Sequence, residues 1–448
     1  MFLRQPSTLT KSLTVAVTPP PQSQLLLLYL CCVITHFMTR KKYFSLILIL
    51  GTLSALGPFS IDMYLPGFPA IAKNLGTTVA EVSLSLSSFF IGISAGQLLY
   101  GPLMDRFGRK RPLYIGLAGY LFASVACAFA TSIEALVVLR FVQAVCSCAA
   151  AVASVAMVRD LFPVKDNAKV FSLLMLVIGV SPMIAPTVGG YVTAGFGWEA
   201  VFLILAAMAA VILLSVYLGL PESSKPDPSY SLKPKPILSK FLQVIKEPQF
   251  YTYALSGAIS FAGLLAYVAG SPLLFMELFR VNEKEYGWIF AFLSIGLIGA
   301  SQVNSIMLRR YRSQSIIVTA LVCQLVVGAV LLLGTMNGWL GLFPTIACIF
   351  LFLCCLGFTF PNASALSLAP FTRNAGSASA LMGAAQMGIG ALATVVLSLF
   401  SNHSAVPMAG VMAASALFSL LILLLGQRII RTKGLHYQAD NSLAGTIH

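Results

Sequence analysis

Gly101–Arg111 reads GPLMDRFGRKR and lies between two long apolar segments. Five of its residues, Asp105, Arg106, Arg109, Lys110 and Arg111, are charged. Each would cost about 2.5–3.5 kcal/mol at the centre of a membrane helix, so the loop lies in water while its flanks do not. Gly101 and Gly108 permit a tight turn with close backbone approach. Pro102 bends the end of the preceding helix, and the Lys/Arg excess marks a cytoplasmic face. One loop therefore orients every segment on either side of it.

Composition sets the same frame. The 448 residues are 58% hydrophobic and 9% charged, with mean hydropathy +0.89, whereas a soluble globule is charged at about a quarter of its positions. An all-α polytopic membrane protein is expected. A formal net charge of +14 would suggest a nucleic-acid partner in a soluble protein, so where the positive charges fall matters more than their sum. All nine cysteines lie in apolar runs without a CxxC pair, which supports neither a disulfide framework nor a zinc site; they read as small hydrophobes.

Apolar segments of about 20 residues recur with short polar breaks. They are placed near 43–65, 79–103, 112–131, 133–158, 169–194, 198–220, 250–278, 286–308, 314–335, 339–366, 375–400 and 407–428, which makes twelve spans. If the span before Gly101 runs from outside to inside, the inside loops hold 22 of the 28 Lys and Arg residues. Both termini are then cytoplasmic, and the net charge is explained without a nucleic acid.

Residues 1–39 form an N-terminal extension containing the apolar run Leu25–Phe37, too short to span comfortably and without a small-residue cleavage site. It reads either as an interfacial or signal-like helix or as sequence upstream of a start at Met38, and the second reading is preferred. Residues 40–220 form one six-helix bundle and 250–430 another. Residues 221–249, rich in Lys and Pro, form a solvated cytoplasmic hinge, and 431–448 a cytoplasmic tail. An internal repeat supports the division. A shift of 204 residues lays IGISAGQLLYGPLMDRFGR on IGLIGASQVNSIMLRRYRS, so Asp105 and Arg106 meet Arg309 and Arg310. A shift of 207 lays Pro163, Asn167, Ala168 and Ser172 on Pro370, Asn374, Ala375 and Ser379. Parallel six-helix repeats about an axis along the membrane normal are the architecture of one transporter class.

Four motifs, in order, now carry a resemblance. GPLMDRFGRKR after the second span resembles the signature loop of the major facilitator superfamily. LRFVQAV (Leu139–Val145) resembles the fourth-helix motif of its drug:proton antiporters, and SPMIAPTVGG (Ser181–Gly190) the fifth-helix antiporter motif. SIDMYLPGFP (Ser60–Pro69) resembles the end of the first helix in the bicyclomycin and chloramphenicol resistance (Bcr/CflA) branch. The likeness covers roughly 40–430. It departs from the pattern at Ala144 and Ala185, where glycine is usual; both replacements stay small, so close helix packing survives.

The resemblance implies proton-coupled efflux of small, largely apolar drugs by alternating access, driven by the proton gradient without a cofactor. It implies a multi-pass monomer in the cytoplasmic (inner) membrane of a bacterium, with lipid, protons and a drug as its partners and no nucleic acid. Asp62, an intramembrane carboxylate, is a functional-site hypothesis by its position alone. It lies about 16 Å below Lys73 if the helix continues past Pro66, and Arg140 about 11 Å deep on the fourth span, so the two fall at similar depth. By resemblance Asp62 is the proton carrier and Arg140 its partner or relay; the alternative makes Asp62 an interfacial cap near Pro66.

Gly101, Asp105, Arg106, Gly108 and Arg109 are read as a cytoplasmic gate. Asp105 can pair with Arg109 or cap a helix of the other bundle, where negative charge is favoured. Pro182, Pro186, Gly189 and Gly190 on the fifth span read as a tight seal between bundles or as ordinary membrane packing. Tyr64, Gln143, Tyr267, Asn362 and Gln386 are candidates for the wall of a midplane substrate cavity.

Other classes fare worse. The sequence has no HExxH, GxSxG or P-loop, and its four histidines fall outside the spans, so no enzyme and no ATP-driven pump is expected. No filter repeat or ring of like charges suggests a channel. The rival is a proton-coupled metabolite carrier for a sugar, peptide or amino acid, which more intramembrane charges than Asp62 and Arg140 would favour. One charge crossing 100 mV releases roughly 2.3 kcal/mol, enough to hold a neutral drug at a gradient of some tens-fold.

Overall fold

The computed structural model describes residues 40–224, 226–227, 234–371, 375–400 and 404–432. The extension 1–39, Arg373, Asn374 and the tail beyond Thr432 lie outside the described residues. The chain divides into a leading unit ending at Leu46, described from the first turns of α1 (Arg40–Asp62), and a body that begins at Ile47.

After α1 come a 3-10 turn (Leu65–Gly67) and a short α2 (Phe68–Leu75). Five long helices follow: α3 (Val79–Phe107), α4 (Lys110–Ala128), α5 (Ile133–Leu161), α6 (Val164–Phe196) and α7 (Trp198–Gly219). Beyond the connecting segment, α8 (Pro234–Ile245) leads to α9 (Pro248–Pro272), which runs on through a π turn (Leu273–Leu278). The chain continues through α10 (Glu283–Met307), α11 (Ser313–Met336), α12 (Leu342–Leu368), α13 (Ala375–Phe400) and α14 (Val406–Thr432). Among the described residues there is no strand, and 12 helical stretches are long and apolar enough to cross a membrane.

Local chemistry starts the helices where the sequence breaks. Thr78 and Glu81 close a capping box on α3, Asn282 and Glu285 another on α10, and the Ser132 hydroxyl accepts from the Ala135 amide at the head of α5. Each satisfies backbone donors that hydrocarbon could not.

Packing shows the two-bundle symmetry. In the first bundle α3 and α4 pack on α5, and α4 packs on α7; six spans later α10 and α11 pack on α12, and α11 packs on α14. The bundles meet where α3 lies on α13 and α6 on α10. A six-span shift exchanges those two contacts, as a pseudo-two-fold requires. Small residues let the helices approach. A Cβ on Gly92 would lie 2.6 Å from the Ala144 methyl, and one on Gly96 2.7 Å from the Cys148 side chain. The alanine at 144, where glycine is usual, is thus accommodated by a glycine on the facing helix.

Two expectations need correction. The first span is not one straight helix: it stops at Asp62, and Pro66 and Pro69 restart the chain as the 3-10 turn and α2, because proline lacks an amide donor and clashes with the preceding turn. The segment 221–249 is also more than a solvated hinge. It carries α8, which buries Val244 beside Phe250, Ala378 and Met382 and leaves Leu238, Leu242 and Ile245 exposed; apolar residues spaced for a helix were outvoted by lysines and prolines when composition alone was weighed.

Candidate proton and substrate sites

The break in the first span positions Asp62. It is the last residue of α1 and is 5% exposed, at the carbonyl end of a helix, where negative charge is disfavoured. Among the described residues its carboxylate has no ion pair, and the following 3-10 turn has no side-chain cap. The alternative of an interfacial cap therefore has no support.

Arg140, fully buried on α5, does not pair with Asp62. Its guanidinium donates to the Ser60 carbonyl at 2.9 Å and to Gln143 Oε1 at 2.6 Å. It lies over the rings of Tyr64 at 4.2 Å and Phe89 at 4.0 Å, with Phe202 at 5.7 Å. Desolvated cation–π contacts of this kind are worth about 2 kcal/mol or more each, while Nε is left without a partner. Gln143 donates to the Ser124 hydroxyl at 2.7 Å, and Ser60 shares a hydrogen bond with Tyr120 at 2.6 Å. Arg140 thus grips the chain on both sides of Asp62, through Ser60 before it and Tyr64 after it. Ionic partnership was expected because depth along a helix is legible in sequence and azimuth is not.

The fifth-span motif meets both the first span and the second bundle. Any Cβ on Gly189 would collide with the Met63 carbonyl, and one on Gly190 with the Glu283 carbonyl. A Cβ on Gly287 of α10 would lie 2.7 Å from Thr187 Cα and 2.9 Å from the Pro186 carbonyl, and the Thr187 hydroxyl donates to the Gly287 carbonyl at 3.2 Å. The contact is backbone against backbone at the end of the molecule away from Gly101–Arg111.

At the other end, called here the basic end, Arg109 donates to Asp105 at 2.9 Å and to Asp160 of α5 at 3.0 Å. Its guanidinium is held above its ordinary value: burial opposes the charge, and the bonds to Asp160 and Asp105 outweigh burial. Glu222, just past α7, accepts from the amides of Arg109 at 2.9 Å and Lys110 at 3.1 Å, capping α4 with a carboxylate. Ser223 donates to Asp160 at 2.9 Å. Gly108 has φ 81° and ψ 172°, and a Cβ on it would lie 3.1 Å from the Ser224 carbonyl. Of the two expected roles for Asp105 the structure has the pairing with Arg109. Arg106 stacks on Phe107 at 5.8 Å. Gly101 lines a cavity.

That cavity, of about 610 Å³, opens at the basic end between α3 and α5 of the first bundle and α13 of the second, with Phe241 of α8 in its wall. Gln97, Asp105, Arg109, Arg159, Asp160 and Gln386 supply polar groups. Its size suits a small-molecule ligand. Of the five cavity candidates only Gln386 lines it. Tyr64 and Gln143 belong to the Arg140 cluster, Asn362 is buried and bonded to Asn304 at 2.6 Å, and Tyr267 is buried against Phe290. Tyr64, Gln143 and Asn362 are satisfied by neighbours within the bundle, whereas the Tyr267 hydroxyl has no partner.

Glu222, Asp160, Gln97 and Ser60 were missed. Glu222 had a signal, as an acid heading a basic segment, and Asp160 had one in the Arg159–Asp160 pair at a helix end. Gln97, in an apolar run, had none, and Ser60 had only its place at the head of SIDMYLPGFP.

A family model described as Major Facilitator Superfamily matches residues 47–395. The chain is 31% identical over 389 residues to the uncharacterized MFS-type transporter YdgK of Bacillus subtilis, covering 86% of this chain and 96% of that one. It is 31% identical over 382 residues to a bicyclomycin resistance protein homolog of Haemophilus influenzae, covering 85% and 96%. It is 29% identical over 398 residues to multidrug resistance protein MdtL of Klebsiella pneumoniae, covering 86% and 95%. Among solved structures, a D-xylose–proton symporter superposes with TM-score 0.65 at 12% identity over 84% of this chain and 97% of that one, a likeness of fold.

Proposed function

The chain belongs to the Major Facilitator Superfamily, and we propose that it exports small, largely apolar drugs in exchange for protons by alternating access. The printed names of two relatives, bicyclomycin resistance protein homolog and multidrug resistance protein, support export of drugs. The single observation that carries the coupling is Asp62, a buried acid without a cation partner at the break of the first span.

In this reading the basic end is cytoplasmic, both termini are on that side, and the membrane is the inner membrane of a bacterium. Drug enters the cavity beside Gln97 and Gln386. Asp62 is not among the residues lining the cavity, so drug and proton compete through the tilt of the bundles rather than for one group. Arg140 holds Ser60 and Tyr64 so that Asp62 keeps its place while α1 moves. Gly189 and Gly190 form the seal that opens when the basic end closes, and Asp105 with Arg109 forms the gate. The protein works as a monomer on the proton gradient, without a cofactor.

Uptake of chloramphenicol, bicyclomycin or ethidium from the bath into everted vesicles, with and without a protonophore, tests the reading. Asp62→Asn abolishes proton-driven transport while the protein stays in the membrane; wild-type coupling in that variant would remove the assignment.

A further inference from the structure

We propose that Tyr267 of α9 is the hydrogen-bond donor that receives Asp62 when it ionises, an acid–phenol pair reaching from the first bundle to the second. The inference rests on Asp62 as proton carrier and adds the group that makes its ionisation possible in a site without a cation.

Four observations converge. Tyr267 is 1% exposed, and its hydroxyl has no hydrogen-bond partner, an omission that burial makes costly. Its ring is fixed by stacking on Phe290, centroids 5.5 Å apart at 26°, so the hydroxyl is held in place rather than free to swing away. The 3-10 turn Leu65–Gly67, three residues beyond Asp62, packs on both α9 and α10. Tyr267 and Tyr286 also lie within electrostatic reach of the Asp62 carboxylate.

The two phenols are not equivalent. Tyr286 shares a hydrogen bond with Ser271 at 2.7 Å, so only Tyr267 has a hydroxyl to give. Of the other charged or titratable groups placed near this point, Tyr64 shares a hydrogen bond with Ser85 at 3.2 Å and lies under Arg140. Arg140 of α5 holds the Ser60 carbonyl and Tyr120 of α4 the Ser60 hydroxyl. From α6 come Gly189, against Met63, and Gly190, against the backbone of Glu283 at the head of α10; Lys284 lies over Tyr191 at 5.4 Å.

The chemistry balances simply. Asp62 gives up its proton to water, Tyr267 keeps its own, and the phenol O–H points at the new carboxylate. A hydrogen bond to an ionised acceptor is roughly twice as strong as a neutral one. Tyr267 therefore makes proton release easier and ties the end of α1 to α9 as it happens. It is a positioning residue.

Infrared difference titration of the full chain in proteoliposomes tests this without any drug. Asp62→Asn identifies the carboxylic C=O band of Asp62. In Tyr267→Phe, which keeps the ring and its stack, the pH at which that band is half lost rises by about one unit, a tenfold change in proton concentration. In Tyr286→Phe it stays where it is in the unaltered chain. Incorporating 3-fluorotyrosine, a stronger donor, in the Tyr286→Phe chain lowers the midpoint. An unchanged midpoint in Tyr267→Phe, or an equal rise in Tyr286→Phe, overturns the pairing and leaves Asp62 as proton carrier. Absence of any titrating Asp62 band overturns both.

Discussion

The two ends of the molecule are built by different means. At the end away from Gly101–Arg111, the bundles touch through backbone: Gly189 against Met63, Gly190 against Glu283, and Gly287 against Pro186. At the basic end Arg109 joins Asp105, Asp160 and Glu222, which belong to the first bundle and the segment leaving it. A cavity lies between the bundles there instead. Backbone contact without intervening side chains is all-or-none, whereas an ion network on one bundle can exchange partners as the other approaches. The first suits a seal and the second a gate, and an alternating-access machine needs one of each in any given state.

The largest effect should come from breaking the seal. Gly189→Val places methyl groups where the Met63 carbonyl stands, and neither side offers a flexible side chain to yield. Overpacking of this kind costs about 1–3 kcal/mol. The population should shift by roughly fivefold to 150-fold toward the form open at that end, read as faster labelling of a Ser271→Cys probe by an impermeant maleimide, with efflux lost. Unchanged labelling would show that closure is not made at Gly189.

A cost of similar size, read as lost stability rather than as lost transport, is expected at the gate. Gly108→Ala forces an L residue into a conformation that is essentially glycine's alone, at φ 81° and ψ 172°, costing about 1–3 kcal/mol. Thermal melting of the purified protein should show the loss, and faster proteolysis near Glu222 should accompany it. No loss would mean that the loop has a second conformation free of Glu222.

Asp105→Asn should do least to stability. The Asp105 side chain is 44% exposed, and an ion pair so placed contributes about 0.2–1 kcal/mol. Efflux measured on the same variant sharpens the comparison. A tenfold loss of transport with a melting curve near wild type means that Asp105 acts in the other state, against the second bundle. Equal small losses mean that it serves Arg109 alone.

Much of the architecture could be read before any coordinates. Twelve spans, with their ends within a few residues, and the repeat follow from solvation. A charge in hydrocarbon is expensive and a helix must be about 20 residues long to cross, so the pattern is written locally. Asp105 and Arg106 stand in the last turn before Phe107, and Arg309 and Arg310 just past Met307, so the paired charges fall close to the two helix ends. What could not be read was whom each side chain meets. Arg140 and Asp62 share a depth but not a face, and Arg140 turns to Ser60, 80 residues away, instead. Tyr267 resembles any cavity tyrosine until its stacked ring and unpaired hydroxyl are seen beside the first span. Helix α8 was hidden by its lysines and prolines, and Glu222 acquired a purpose only when the chain brought it to the head of α4. Solvation acts on each residue alone and leaves its mark in composition; pairing depends on helix azimuth and on contacts between residues hundreds apart, which arise only when the bundles pack.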